Sequence, residues 1–170
     1  KSNIAQVQVP FSKAIKTRQL WIIMLTLWFI TAGYFCINPI LRQLGMARGL
    51  EADLANGIVM ACGLGLAVGR FAVPFFVNML RGRRNTALTL AILVCVVSVA
   101  LIFAQGIAFM VLVFLLAAFA GAPGATYSPW TAENFGLENQ GANYGFVMIG
   151  TGLSSLISFR LCNQVIAPMF

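Results

Sequence analysis

Arg70 stands alone in an otherwise uncharged apolar stretch, Gly63-Leu-Gly-Leu-Ala-Val-Gly-Arg-Phe-Ala-Val-Pro74. A charge at the centre of a bilayer costs ~2.5–3.5 kcal/mol even on lenient insertion scales, so it faces a protected interior and marks a pathway or a partner. The planar guanidinium fork matches a carboxylate bidentately, which makes anion binding the chemistry open to it. The structural alternative pairs Arg70 with a backbone carbonyl or with an acid outside this stretch. Shortly after it comes a tight basic turn, Arg81-Gly82-Arg83-Arg84-Asn85, with three cations and no acid. Other chemistry has little material. The chain has no histidine, which removes imidazole catalysis and histidine–metal sites. Cys36, Cys62, Cys95 and Cys162 each lie alone in an apolar run with no C-x-x-C spacing, and they read as lipid- or core-buried thiols behaving as small hydrophobes. With no paired acids inside the apolar runs and no activated nucleophile, no catalytic residue, metal site or cofactor is expected.

The elements that must position Arg70 are set by composition. The 170 residues are 60% hydrophobic and only 9% charged, against about 25% charged in a soluble domain. The deficit runs the whole length, so the expected class is an all-α integral membrane protein. The net charge of +7 would suggest nucleic acid in a soluble chain. Here seven of the eleven cations fall in Lys1–Arg18 and Arg81–Arg84, beside apolar runs. That is a topology signal that places both segments in the cytoplasm, and no nucleic-acid partner is expected. No signal peptide opens the chain, and a start on a basic loop suggests a fragment.

Five spans follow from the apolar runs. Residues 1–19 read as a cytoplasmic segment, with a short amphipathic helix over Phe11–Gln19. The first span runs from about Leu20 to Leu41, broken near its far end by Asn38-Pro39; Trp21 and Trp28 read as lipid-facing or core aromatics. Gly45–Ala52 reads as an external loop. The second span, about Asp53 to Leu80, carries Ala61, Gly65 and Gly69 every four residues, a stripe that lets helix backbones approach closely in lipid. The third, Thr86 to Ala104, has no polar face and reads as peripheral, and Gln105-Gly106 as a tight external turn. The fourth, Ile107 to about Trp130, carries Ala117, Gly121 and Ala125 on one face and kinks at Pro123. Thr131–Gly141 reads as a cytoplasmic polar loop. The fifth span, about Ala142 to Ile166, has Gly150, Ser154 and Ser158 as another stripe. Gly63-Leu-Gly-Leu and Gly150-Thr-Gly-Leu form a weak echo at the middle position of successive helix triplets, the arrangement of inverted-repeat transporters.

Four stretches resemble the C-terminal half of the major facilitator superfamily, specifically its oxalate–formate antiporter family. Phe29-Ile-Thr-Ala-Gly33 is similar to that family's seventh helix. Gly69-Arg70 with the basic turn and Asn85-Thr86 resembles helix eight and the loop after it. Glu133-Asn-Phe-Gly136 resembles the loop between helices ten and eleven, and Asn143-Tyr-Gly145 the start of helix eleven. The resemblance implies that residues 20–170 are five helices, seven to eleven, of a six-helix half in a twelve-helix bundle. Helix twelve and the N-terminal half would then be missing partners, alongside the lipid bilayer and a small anionic substrate. It also implies a location in a bacterial cytoplasmic membrane.

Two departures refine the expectation. The family's loop after helix eight carries an aspartate, which falls on Asn78 or Met79 here, so a charge-paired latch involving Asn78, Arg81, Gly82, Arg83 and Arg84 would be weakened; the alternative for Arg81, Arg83 and Arg84 is simple topology and contact with anionic lipid. Oxalate carriers share a helix-eight arginine, matched by Arg70, and a helix-eleven lysine, replaced by Thr151. Arg160 lies nine residues further along, roughly 13 Å toward the other face, and reads as snorkelling or lining an outer vestibule. Arg70 lies roughly 16 Å, and Thr151 roughly 13 Å, from the cytoplasmic boundary, near the middle of a ~30 Å core. One midplane cation with a hydroxyl suits one carboxylate, so the expected substrate is a monocarboxylate of the formate, lactate or pyruvate type, moved by alternating access. A proton-coupling carboxylate would lie in the other half, and antiport and symport stay open. The competing reading is a non-transporting membrane sensor, a pseudo-transporter or a non-functional fragment.

Overall fold

The computed structural model describes residues 8–161 and residue 164. Among these, the chain is helical with short connections and no strand. A one-turn helix α1 (Phe11–Ala14) leads into α2 (Arg18–Ile37). A 3₁₀ turn at Asn38–Ile40 joins α2 to α3 (Leu41–Ala47), followed by α4 (Ala52–Met79) and α5 (Arg83–Phe103). Helices α6 (Gly106–Gly121) and α7 (Pro123–Phe135) are separated by Ala122 alone, and α8 covers Gln140–Leu161. Counting α2–α3 and α6–α7 as continuous, five helices are long and apolar enough to cross a membrane, consistent with an integral membrane protein. In lipid every backbone polar group must be satisfied internally, which favours long unbroken helices. Buried hydroxyls obey the same demand: Thr31, Thr126 and Thr131 each donate to the carbonyl four residues back.

Proline punctuates the spans. It has no N–H, so it breaks the first span at Asn38-Pro39 and divides the fourth at Pro123, where the Phe119 carbonyl loses its donor. Two helix pairs make the most extensive contacts, α4 with α6 and α2 with α8. Turns at one end are tied by Arg48, whose Nη1 donates to the Ile102 carbonyl at 2.7 Å while its own carbonyl accepts from Gly106 N–H. At the opposite end Arg83 meets Glu133 at 2.7 Å, and Gln19 Nε2 donates to Asn134 Oδ1. There too, the leading segment straps the turn between α7 and α8. Val9 N–H donates to Phe135 O at 2.9 Å, Glu138 N–H to Gln8 Oε1 at 3.0 Å, and buried Asn143 Nδ2 to Val9 O at 3.3 Å.

Several sequence expectations need correction. The loop drawn at Gly45–Ala52 is only 48–51, because the helix resumes after Pro39 and runs to Ala47. The loop drawn at Thr131–Gly141 is only 136–139; Thr131–Phe135 complete α7, where polar residues at a helix end meet the interface. The helix expected over Phe11–Gln19 is one turn, Phe11–Ala14. The third span needs none: it leaves Leu88, Ile92, Val96 and Val99 exposed on its outer side. Thr86, Ala87, Leu90, Val94, Val97 and Leu101 of α5 are buried, and α5 packs on α2 and α6. The fifth span begins at Gln140; its expected end at Ile166, together with Cys162 and residues 1–7 of the leading segment, lies outside the described residues.

Candidate functional site

Helix α4 approaches α6 so closely that its glycines have no room for a side chain. A Cβ on Gly65 would sit 2.5 Å from the Phe114 carbonyl oxygen, and one on Gly69 would overlap the Ala118 carbonyl, 2.7 Å from its carbon. The reciprocal contact is Gly121, whose Cβ would lie 2.8 Å from Leu66 Cα. In the other pair, a Cβ on Gly150 of α8 would sit 2.6 Å from the Met24 carbonyl oxygen of α2. Gly63 and Gly152, by contrast, face open space. The echo between the two four-residue stretches therefore fails in register: the packing glycine is the second of one pair and the first of the other.

This crossing holds Arg70 in place, one residue beyond Gly69. Pro74 lies four residues on inside α4 and removes the donor that the Arg70 carbonyl would otherwise use. The guanidinium lies against the first turn of α7, where a Cβ on Gly124 would be 3.4 Å from Arg70 Nε. Arg70 is exposed and forms no ion pair with a described residue.

Arg70 and Thr151 line one cavity of ≈ 290 Å³. Its walls come from both helix pairs: Leu66, Arg70 and Gly121 from one, and Thr31, Tyr34, Tyr144 and Thr151 from the other, with Pro123 and Gly124 at the helix break. The cavity contains no carboxylate. Its cation, its phenols and the half-buried Thr151 hydroxyl can all donate to an anion, while the Thr31 hydroxyl is committed to Leu27 O at 2.9 Å. The volume lies at the small end of ligand sites, which run about 300–1,000 Å³.

Sequence reasoning missed Tyr34 and Gly124 as parts of this cavity. Tyr34 directly follows Phe29–Gly33, a stretch already singled out; Gly124 carried no signal, because its role depends on a helix from elsewhere in the chain.

The basic turn does not act as a unit. Arg81 has φ +55° and Gly82 φ +142°, a left-handed pair that reverses the chain sharply. Arg83 turns to Glu133 of α7. Arg84 lines a different cleft, together with Arg18. Asn78 is exposed, and its side chain bonds to no described residue. Arg160 is exposed in the last turn of α8, outside the Arg70 cavity.

Compared with known proteins, the chain matches no family model and no curated protein.

Proposed function

We propose that this chain is the C-terminal half of a major facilitator secondary transporter of the oxalate–formate type, carrying a small monocarboxylate such as formate, lactate or pyruvate by alternating access. One observation carries the reading. Arg70, free of any acid among the described residues, shares a small cavity with Thr151 beside a broken helix. Substrate sites near the midplane between helices are a recurrent feature of such transporters. Arg70 would take the carboxylate through its guanidinium fork, and Thr151 would donate from the facing helix.

Such a transporter binds substrate between two halves, so the cavity here is one wall of the site. The N-terminal half and helix twelve would complete it, and a bacterial cytoplasmic membrane is the proposed setting. The same reading assigns no catalytic role to any residue. Exposed, uncharged Asn78 favours a second reading, a membrane protein that has lost transport and its charge-paired latch.

The test is competition of formate and oxalate against a labelled substrate in vesicles holding both halves. A charge-assisted hydrogen bond contributes ~1.5–3 kcal/mol, so Arg70→Gln should weaken carboxylate binding by roughly one to two decades, with Arg70→Lys between. Thr151→Lys should raise oxalate binding relative to formate. Unchanged binding in Arg70→Gln would make Arg70 structural, and absence of uptake with both halves present would favour the second reading.

A further inference from the structure

A second cleft, of ≈ 670 Å³, opens between the N-terminal turns of α2 and α5 and the C-terminal part of α7. Arg18 and Arg84 stand in its wall with Gln19, Asn134 and Trp130, and no carboxylate lines it. The one acid nearby in sequence, Glu133, is paired with Arg83. Neither arginine forms an ion pair with a described residue. Neither of the two helices that carry them has a side-chain cap. Gln19 and Asn134 bond to each other across the cleft and join α2 to α7.

The rest of the lining is apolar and continues along the helices. Ile22 of α2 and Leu88 of α5 line the cleft and are 44% and 49% exposed. Leu25 and Phe29 continue the exposed face on α2, and Ile92 and Val96 do so on α5. Two unpaired cations thus sit at the head of two exposed apolar ladders that run into the spans.

The geometry points to a binding site for a phosphate ester, and specifically for an anionic glycerophospholipid with its phosphate between Arg18 and Arg84. The acyl chains lie along the ladders. Arginine binds phosphate oxygens bidentately, and basic pockets between membrane helices on the cytoplasmic side take anionic headgroups. The site is separate from the Arg70 cavity and stands or falls without it. A soluble phosphate ester would satisfy the arginines equally but leave the ladders without a role.

Trp130 supplies the readout. With Trp21→Phe and Trp28→Phe it is the sole tryptophan, and the chain is placed in phosphatidylcholine nanodiscs. Phosphatidylglycerol with brominated acyl chains should quench Trp130 at a several-fold lower mole fraction than brominated phosphatidylcholine. At about fivefold per basic residue near a membrane surface, Arg18→Gln/Arg84→Gln should erase this preference. Arg18→Lys/Arg84→Lys should keep most of it, with helix content by circular dichroism unchanged in both. Arg84→Gln alone should lower the preference about fivefold, whereas Arg81→Gln, which removes one charge outside the cleft, should leave it within about twofold.

Equal quenching by the two lipids, a preference that survives the double glutamine variant, or one lost equally in the double lysine variant overturns the site. So does a fall in Arg81→Gln as large as in Arg84→Gln. Displacement of the brominated lipid by millimolar glycerol 3-phosphate would assign the cleft to a soluble ester and overturn the lipid.

Discussion

The two main helix pairs solve the same packing problem by different means. Between α4 and α6 the backbones touch through three glycines, Gly65, Gly69 and Gly121, leaving almost no side-chain layer. Between α2 and α8 only Gly150 makes such a contact. The rest of that seam is a layer of side chains: α2 buries Leu20, Ile23, Leu27 and Ile30, α8 buries Asn143, Val147, Ser154 and Ser158, and Ser158 Oγ donates to the Ala32 carbonyl at 3.1 Å. A glycine crossing tolerates almost no change of register, because each contact is with backbone. A seam of side chains with one hydrogen bond between the helices leaves more room to shift. The Arg70 cavity lies where the two meet, with its cation on the tight pair and Thr151 on the other.

Substitutions at glycine break or sharpen this contrast most directly. Gly69→Ala drives a methyl into the Ala118 carbonyl and should destabilise the chain most, by ~3 kcal/mol at the upper end of overpacking costs, or prevent folding. Unfolding by sodium dodecyl sulfate titration measures it, and a loss below that of Gly150→Ala would erase the contrast. Gly150→Ala also meets backbone first, the Met24 carbonyl oxygen at 2.6 Å, but less deeply than Gly69→Ala meets the Ala118 carbonyl, and should cost about 1–2 kcal/mol in the same titration. Ser158→Ala removes one interhelical hydrogen bond, a change of about 0.6 kcal/mol by the usual membrane value. Gly63→Ala points into open space and should be neutral or gain up to ~1 kcal/mol from helix propensity. A loss there would show that Gly63 packs against something.

What was legible in the sequence divides along similar lines. The five spans, the break at Asn38-Pro39 and the kink at Pro123 were readable because hydropathy and proline act locally. The spacing of Gly65 and Gly69 likewise marked a packing face, since a period of four survives without knowledge of the partner. Helix ends were misread at Ala47 and Phe135, where polar residues continue a helix at the interface instead of ending it. The division of the basic turn was illegible for another reason. Arg83 finds its partner 50 residues away at Glu133, and Arg84 comes to line one cleft with Arg18 only after α2 and α5 come together. The cavity was half legible: Arg70 announced itself as a lone charge, whereas Gly124 acquires its role only when α4 is laid across α7.

The α2–α8 seam also sets an order of events during synthesis. Ser158 follows Ala32 by 126 residues, which at ~5–20 residues per second is a wait of roughly 6–25 s. Until α5, α6 and α7 cover part of it, the inner face of α2 stands against lipid, tolerable because its backbone bonds are internal. The α4–α6 crossing needs a much shorter stretch of chain and can lock while α8 is still in the ribosome. The tight joint is therefore built before α8 arrives to close the other pair.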